Sequence, residues 1–310
     1  MEEDSETKRA GYQVGNNAED GSGPRVRPMT GLDLENVEEL RSVVRWSTDP
    51  RAFGLLRGFK GARWAVTGAP DGSLTGMVGA VPLGEIGVLC HLAVSPEHRG
   101  QGLGARLSSW AVSYLRSQGA RTVRLDSTSQ AENLYRSLGF RSTTPRTVYR
   151  KEGARPGPVA KEDVSGYRVS PLVTEDLPEL YGVDRWSFGA DRSALIFAIL
   201  RLHPGMGLVA RDASGRIKGY LVRGSAGKTT RIGPLMAETP EVARLLLDRA
   251  LQTGGGAPIE VVVPNGGPAH RVLEEFGFTG RVDRLRMELG NCPVSPAGLG
   301  HYATTPYLAT

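Results

Sequence analysis

The stretch "SPEHRGQGLGARL" (residues 95–107) sets Arg99 just ahead of three alternating glycines, Gly100, Gly102 and Gly104, and runs directly into an apolar helical pattern. Glycine has no Cβ, so successive backbone N–H groups in such a turn can close on an anion. The helix N-terminus that follows adds unpaired donors and about half a positive charge. With the apolar run "IGVLCHLAV" (86–94) before it, the string reads as strand, turn and helix, an arrangement suited to capturing phosphate. It is not a dinucleotide fingerprint, because Gly104 is followed by Ala-Arg-Leu, and it is not a Walker loop, which needs Gly-Lys-Ser/Thr.

Outward from this turn the chain repeats itself. Pro28, Asp33 and Leu34 return as Pro171, Asp176 and Leu177, each 143 positions later. The same offset links Gly72, Leu74 and Gly76 to Gly215, Ile217 and Gly219, and "YRSLGF" (135–140) returns as "LEEFGF" (273–278) at an offset of 138. Trp46 and Trp186 are a further candidate correspondence. Ordered, near-constant spacing predicts two copies of one fold, 25–150 and 166–310. They follow a polar tail (1–24) that reads as disordered and are joined by the linker "KEGARPGPVAKEDVS" (151–165).

Each copy follows one plan. A leading strand enters a helix behind Thr30 or Thr174, and more helical sequence carries the tryptophan. Two strands joined by "APDGSL" or "DASGRI" come next, then a longer strand. The following helix in the first copy aligns Leu103, Leu107, Ala111 and Leu115 on one face. A strand, a short helix into Gly-Phe and a last strand close the copy. The fold class is α/β (α+β): a mixed, mostly antiparallel twisted sheet flanked by helices, twice in tandem.

Composition narrows the function. The chain has 310 residues, 39% of them hydrophobic, enough for two ordinary cores. No apolar run reaches the roughly 18 residues that cross a bilayer, and the first residues show no secretory signal, so the expected location is cytoplasmic without membrane attachment. Two cysteines, one in each half, and five scattered histidines offer no disulfide framework and no metal-ligand spacing. The net charge of +5 is carried by dispersed arginines with no aromatic interleaving, which suits an anionic ligand better than nucleic acid.

The longer string "LAVSPEHRGQGLGARL" (92–107) resembles the acetyl-CoA signature of the GNAT N-acyltransferases, in which V-x-P leads to R-x-x-G-x-G/A, here Arg99, Gly102 and Gly104. "LDSTSQAENLYRSLGF" (125–140) resembles the family's second cofactor segment. The C-terminal half, through "FGADR" (188–192) and "IGPLMAE" (232–238), is similar to a GNAT branch found as the second member of tandem proteins. The resemblance implies that backbone groups of Leu92, Ala93 and Val94 pair with the pantetheine arm as an added strand. It also implies that N–H groups of Arg99, Gly100, Gln101, Gly102, Leu103, Gly104 and Ala105 hold the pyrophosphate of acetyl-CoA, and that an amine attacks the thioester directly.

Two proton tasks follow. The departing thiolate calls for an acid, and Tyr135 stands at the family's acid position, either as that acid, since a phenol is protonated at neutral pH, or as a helix aromatic packed under the sheet. The alkyl ammonium must lose a proton before it attacks. Glu85 acts as its base through water or is a solvent-facing hairpin residue, and the sequence leaves both open. His91 is the other candidate, against a packed strand histidine. Alternation places Cys90 on the opposite face from His91, as a core thiol. Asp184, Arg185, Asp191 and Arg192 form either a recognition surface or internal ion pairs.

The second copy reads as degenerate. "MAETPEVA" (236–243), its counterpart of the glycine turn, has neither glycine nor arginine, and Leu273 replaces the tyrosine. The leading expectation is an acetyl-CoA-dependent N-acetyltransferase of a small-molecule amine, monomeric or homodimeric. A peptide acyltransferase, a user of a longer acyl-CoA and a CoA sensor without turnover stay open as alternatives.

Overall fold

The computed structural model describes residues 24–44, 46, 50–153, 163–164, 166–226, 228–253, 256–291 and 300–303. The expected tail (but for its last residue) and residues 154–162 of the expected linker lie outside the described residues.

The first half runs β1 (Arg27–Pro28), α1 (Leu34–Val43), α2 (Pro50–Arg57), β2 (Arg63–Gly68), β3 (Leu74–Leu83), β4 (Ile86–Val94), α3 (Leu103–Ser117), β5 (Thr122–Ser127), α4 (Glu132–Ser137) and β6 (Arg141–Lys151). The second runs β7 (Asp163–Val164), β8 (Tyr167–Pro171), α5 (Leu177–Phe188), α6 (Ser193–Leu202), β9 (Gly207–Asp212), β10 (Ile217–Ala226) and β11 (Thr229–Ala237). It continues through α7 (Pro240–Gln252), β12 (Ile259–Pro264), α8 (Ala269–Glu275), β13 (Thr279–Gly290) and β14 (Gly300–Ala303).

The repeat has physical causes. Asp33 accepts from the Thr30 N–H at 2.7 Å and is clamped by Arg27 at 2.5 Å; Asp176 accepts from the Val173 N–H at 3.0 Å and is clamped by Arg211 at 2.5 Å. In both copies an aspartate fixes the entry to the first helix. Gly76 and Gly219 are contact glycines. A Cβ on Gly76 would lie 2.8 Å from Leu107, and one on Gly219 would lie 2.7 Å from Val242. Each lets the long helix settle directly on the sheet.

All strands join one sheet, in the order β1-β2-β3-β4-β5-β13-β6-β12-β11-β10-β9-β8-β7, with β14 beside β11. Among the described strands only β4–β5 and β11–β12 are parallel. The centre departs from a simple tandem, because the two halves exchange β6 and β13. β6 of the first half pairs with β12 of the second, from Ile259↔Lys151 to Pro264↔Arg146, while β13 pairs with β5 from Leu285↔Ser127 to Gly290↔Thr122. The division at residue 150 therefore separates two stretches of chain but not two closed sheets.

Helices cover both faces. α3 packs Leu107, Ala111 and Leu115 over Val123 and Leu125, and α7 does the same in the second half with Val242, Leu246 and Leu247. On the opposite face one core spans both halves, uniting Val37, Phe53 and Trp64 with Leu180, Ile196 and Tyr220. At its heart Arg192, 1% exposed, donates to Asp184 at 2.8 and 2.7 Å, and the Tyr220 hydroxyl also donates to Asp184. This pair is an internal tie, not a recognition surface.

Candidate active site

Parallel pairing of β4 and β5 extends from Ile86↔Thr122 to Val88↔Arg124 and stops. Beyond it lies a bulge on β4: Met77 faces Ala93 and Gly79 faces Cys90, so His91 and Leu92 together oppose Val78. His91 carries φ +53°, the sole positive value outside glycine among the described residues. The extra residue bends the strand and opens a gap at the carboxyl ends of β4 and β5. There a cleft of about 540 Å³ is lined by Leu92, Ala93 and Val94 on one side and by Leu125, Asp126, Ser127 and Thr128 on the other. Arg99, Gly100, Gly102, Leu103, Gly104 and Ala105 close one end, and Val44 and Trp46 also line it.

The turn has the form of an anion nest. Gly100 and Gly102 take φ +77° and +76°, which an L side chain resists, and the space beside both is open. Among the described residues no hydrogen-bond acceptor is found for the amides from Gly100 to Ala105; the first amides of a helix have no partner within it. Arg99 donates from Nε to the Val94 carbonyl at 3.2 Å, and Ser95 Oγ meets His98 Nδ1 at 2.8 Å, bracing the turn. Gln101 is turned away: its amide reaches the Glu97 carbonyl at 3.3 Å and does not line the cleft. The nest and the open strand edge fit the diphosphate and pantetheine of coenzyme A.

Tyr135 lines the cleft from α4, 5% exposed and edge-on to Phe140. Burial, with a smaller contribution from Cys90, pushes its phenol well above the usual range. Glu85 is elsewhere. It sits in the β3–β4 turn, 59% exposed and paired with Arg121 at 3.2 Å. Seven residues of extended strand, roughly 23 Å, separate it from Leu92, so the reading of Glu85 as the base is overturned. His91 is 3% exposed, with its ring against Trp46, Phe53 and Trp64. Cys90 does not lie on the opposite face from His91. The bulge turns Cys90 and His91 to one side, where Cys90 joins the core of Phe53 and Trp64, and burial raises its thiol to about 12.

Four wall residues, Trp46, Asp126, Ser127 and Thr128, were not among the expected site residues. Trp46, noted in the sequence only as a counterpart of Trp186, is cleft wall. Ser127 and Thr128 belong to the quoted strand-to-helix segment, whose likeness was their only signal. Asp126 has its oxygens fixed by Arg286 at 2.6 and 3.0 Å, with Arg146 at 3.6 Å. Burial works to raise this carboxyl, but Arg286, Arg146 and Arg284 outweigh it and hold it at about 2. Its partners lie up to 160 positions away, beyond any local pattern.

The second half builds the same strands differently. Gly219 faces Ala237 as Gly76 faces Val94, so the offset of 143 holds to the end of β11. Eight residues (95–102) join β4 to α3, whereas two (238–239) join β11 to α7; the missing residues are the nest itself. β14 pairs with β11 through Leu235↔Ala303 and Ala237↔Gly300, covering the edge that matches Leu92–Val94. Leu273, buried, stands at the tyrosine's position.

Two family models match the chain: one described as "Acetyltransferase (GNAT) family" over residues 33–140, and one described as "Acetyltransferase (GNAT) domain" over 181–297. The chain belongs to the GNAT acetyltransferases. As a tandem GNAT protein it is 24% identical over 209 residues to the uncharacterized N-acetyltransferase YitH of Bacillus subtilis, covering 67% of this chain and 71% of YitH. It is 40% identical over 73 residues to the mycothiol acetyltransferase of Thermobispora bispora, covering 23% of this chain and 24% of that protein. Among solved structures, a candidate acetyltransferase from Pyrococcus horikoshii shares the fold with a TM-score of 0.74 at 20% identity, covering 93% and 96% of the two chains. A tandem GNAT protein from the clavulanic acid biosynthesis pathway superposes with a TM-score of 0.65 at 14% identity, over 87% and 99%. Among the described residues no helix is long and apolar enough to cross a membrane, and no group of His, Cys, Asp and Glu could hold a metal ion.

Proposed function

We propose that this GNAT protein transfers the acetyl group of acetyl-CoA to the primary amine of a small molecule, at one site per chain, in the first half. One observation carries the reading: a nest of unpaired amides, Gly100–Ala105, and a buried tyrosine, Tyr135, line the same gap. Bound acetyl-CoA supplies an activated thioester. The amides of the turn hold its diphosphate, and the free edge at Leu92–Val94 orients its pantetheine arm. Tyr135, kept protonated by burial, donates its proton to the sulfur that leaves. His91, behind Trp46 at the wall, takes the amine's proton, and Glu85, in the β3–β4 turn, takes no part. Asp126, ionised down to about pH 2, is too weak a base for the task.

The mycothiol acetyltransferase, whose name states a small-molecule acceptor, supports that acceptor class here. The test is thiol release from acetyl-CoA across a panel of small amines and peptides, beside calorimetry with CoA. One CoA site per chain and turnover of a small amine are expected. Tight binding with no thiol released to any amine makes the protein a sensor and ends the proposal.

A further inference from the structure

A buried band of charge on β5, β13 and β6 is not used by the acetyl-transfer chemistry. Cross-strand partners are Arg124 with Glu288, Asp126 with Arg286, and Arg146 with Arg284. The first two pairs are complementary and bonded, at 2.8 Å and at 2.6 Å. The third sets one guanidinium opposite another, and like charges directly opposed in a sheet repel. The carboxylate nearest Arg146 is Asp126, 3.6 Å away and already held by Arg286. Arg284 has Asp283 at 4.0 Å, and that carboxylate holds Arg281 at 2.8 Å. Arg146 Nε and Arg284 Nε and Nη1 have no hydrogen-bond acceptor, although the two side chains are only 8% and 17% exposed. Four arginines share Glu288, Asp126 and, at 4.0 Å, an Asp283 that already holds Arg281, which leaves the band net positive. Cations removed from water in this way are costly unless paired.

The band faces away from the nest. Val123, Leu125 and Met287 pack under α3, so the residues alternating with them, Arg124, Asp126, Arg284 and Arg286, lie on the other side of the sheet. Asp126 belongs both to the cleft wall and to the band. Arg146 and Arg284, each with donors left over, thus stand behind the cleft-lining Asp126, on the sheet face opposite the phosphate nest.

We propose that Arg146 and Arg284 seat an anionic group of the acyl acceptor, a carboxylate or a phosphate, so that the substrate is an amine that is also an acid. The amine part rests on the acetyl-transfer reading, and the anion seat does not. Guanidinium groups recognise both anions through charge-assisted hydrogen bonds. The seat would also give the second half a part in the reaction, since Arg284 reaches the site only through strand exchange.

The experiment compares matched acceptors with acetyl-CoA: α-amino acids against their amides, glucosamine 6-phosphate against glucosamine, and ethanolamine phosphate against ethanolamine. The acid member of one pair is expected to exceed its neutral twin by about 100-fold in kcat/KM, and the winning pair tells carboxylate from phosphate. Arg284→Gln should raise KM for that acceptor about tenfold and leave KM for acetyl-CoA unchanged. Melting curves in sodium phosphate and in sodium acetate, at ionic strength matched with sodium chloride, give a readout without turnover. One of the two anions should stabilise the wild type and not Arg284→Gln, which loses a like-charge contact and should melt no lower than wild type in chloride. Neutral twins turned over as well as their acids in all three pairs, or no specific shift with either anion, overturn the seat. A specific shift with no amine acetylated keeps the seat and ends the transfer reading instead.

Discussion

Asp126 and Arg286 are opposite each other in register on β5 and β13, joined by hydrogen bonds of 2.6 and 3.0 Å, one residue from each half of the chain. Their pairing ties the candidate site to the exchanged strand. Asp126→Asn would leave Arg286 and Arg146 without their carboxylate, and removing one member of a buried pair costs about 3–5 kcal/mol. Urea unfolding should report a loss of that size. The depressed carboxyl also sets an acid limit: its folded value, about 2, lies below the unfolded one, so its stabilisation is complete above about pH 4 and lost as pH falls toward 2. Asp126→Asn should flatten the acid limb of melting temperature against pH.

Strand exchange predicts that the halves do not stand alone. A fragment ending at residue 151 lacks β13, and one beginning at 152 lacks β6, leaving the long edges of β5 and β12 bare. Each expressed alone should be aggregated or poorly folded by circular dichroism, and co-expression should recover a soluble complex. Two separately folded halves would contradict the exchange.

Gly102→Glu should abolish CoA binding, weakening it about 100-fold or more. The position has φ +76°, and a carboxylate there opposes the diphosphate by charge as well as by strain. Calorimetry with CoA checks this, and unchanged affinity would remove the turn from the site.

Tyr135→Phe should lower kcat by about 100- to 10,000-fold, the usual worth of a general acid, and leave CoA affinity intact. Because burial raises the phenol's titration, kcat in the wild type should show no fall assignable to this group up to about pH 10. His91→Gln should in turn remove the acid limb of kcat/KM, and a limb that persists excludes His91 as the base.

Deleting residues 300–310 removes β14 from the edge of β11. The melting temperature should fall, while CoA stoichiometry stays at one per chain, because the two residues joining β11 to α7 offer no nest.

Some of this was legible in the chain and some was not, for reasons that can be assigned. The nest was legible because a turn that exposes its amides requires glycine, and Gly100 and Gly102 leave a local trace. The same holds for Gly76 and Gly219, whose close helix contacts preserve the repeat. Only the facing of Cys90 departs from the alternation, because the bulge at His91 breaks a regular strand with no signal in residue type; Glu85 takes the hairpin alternative through its place in the β3–β4 turn. Arg146, Arg284 and Asp126 look like ordinary polar strand residues until their neighbours are known.

The sequence alone determined the local matters: two copies of an α/β unit, one of them with a phosphate turn and a tyrosine, since backbone freedom and helical or strand periodicity act over a few residues. Tertiary structure alone decided that the copies trade β6 and β13, that β14 covers the second gap, and that two arginines face each other beside the first. Those outcomes depend on hydrogen-bond register and charge between segments more than a hundred positions apart, where the order of residues along the chain carries no energy and proximity in space carries all of it.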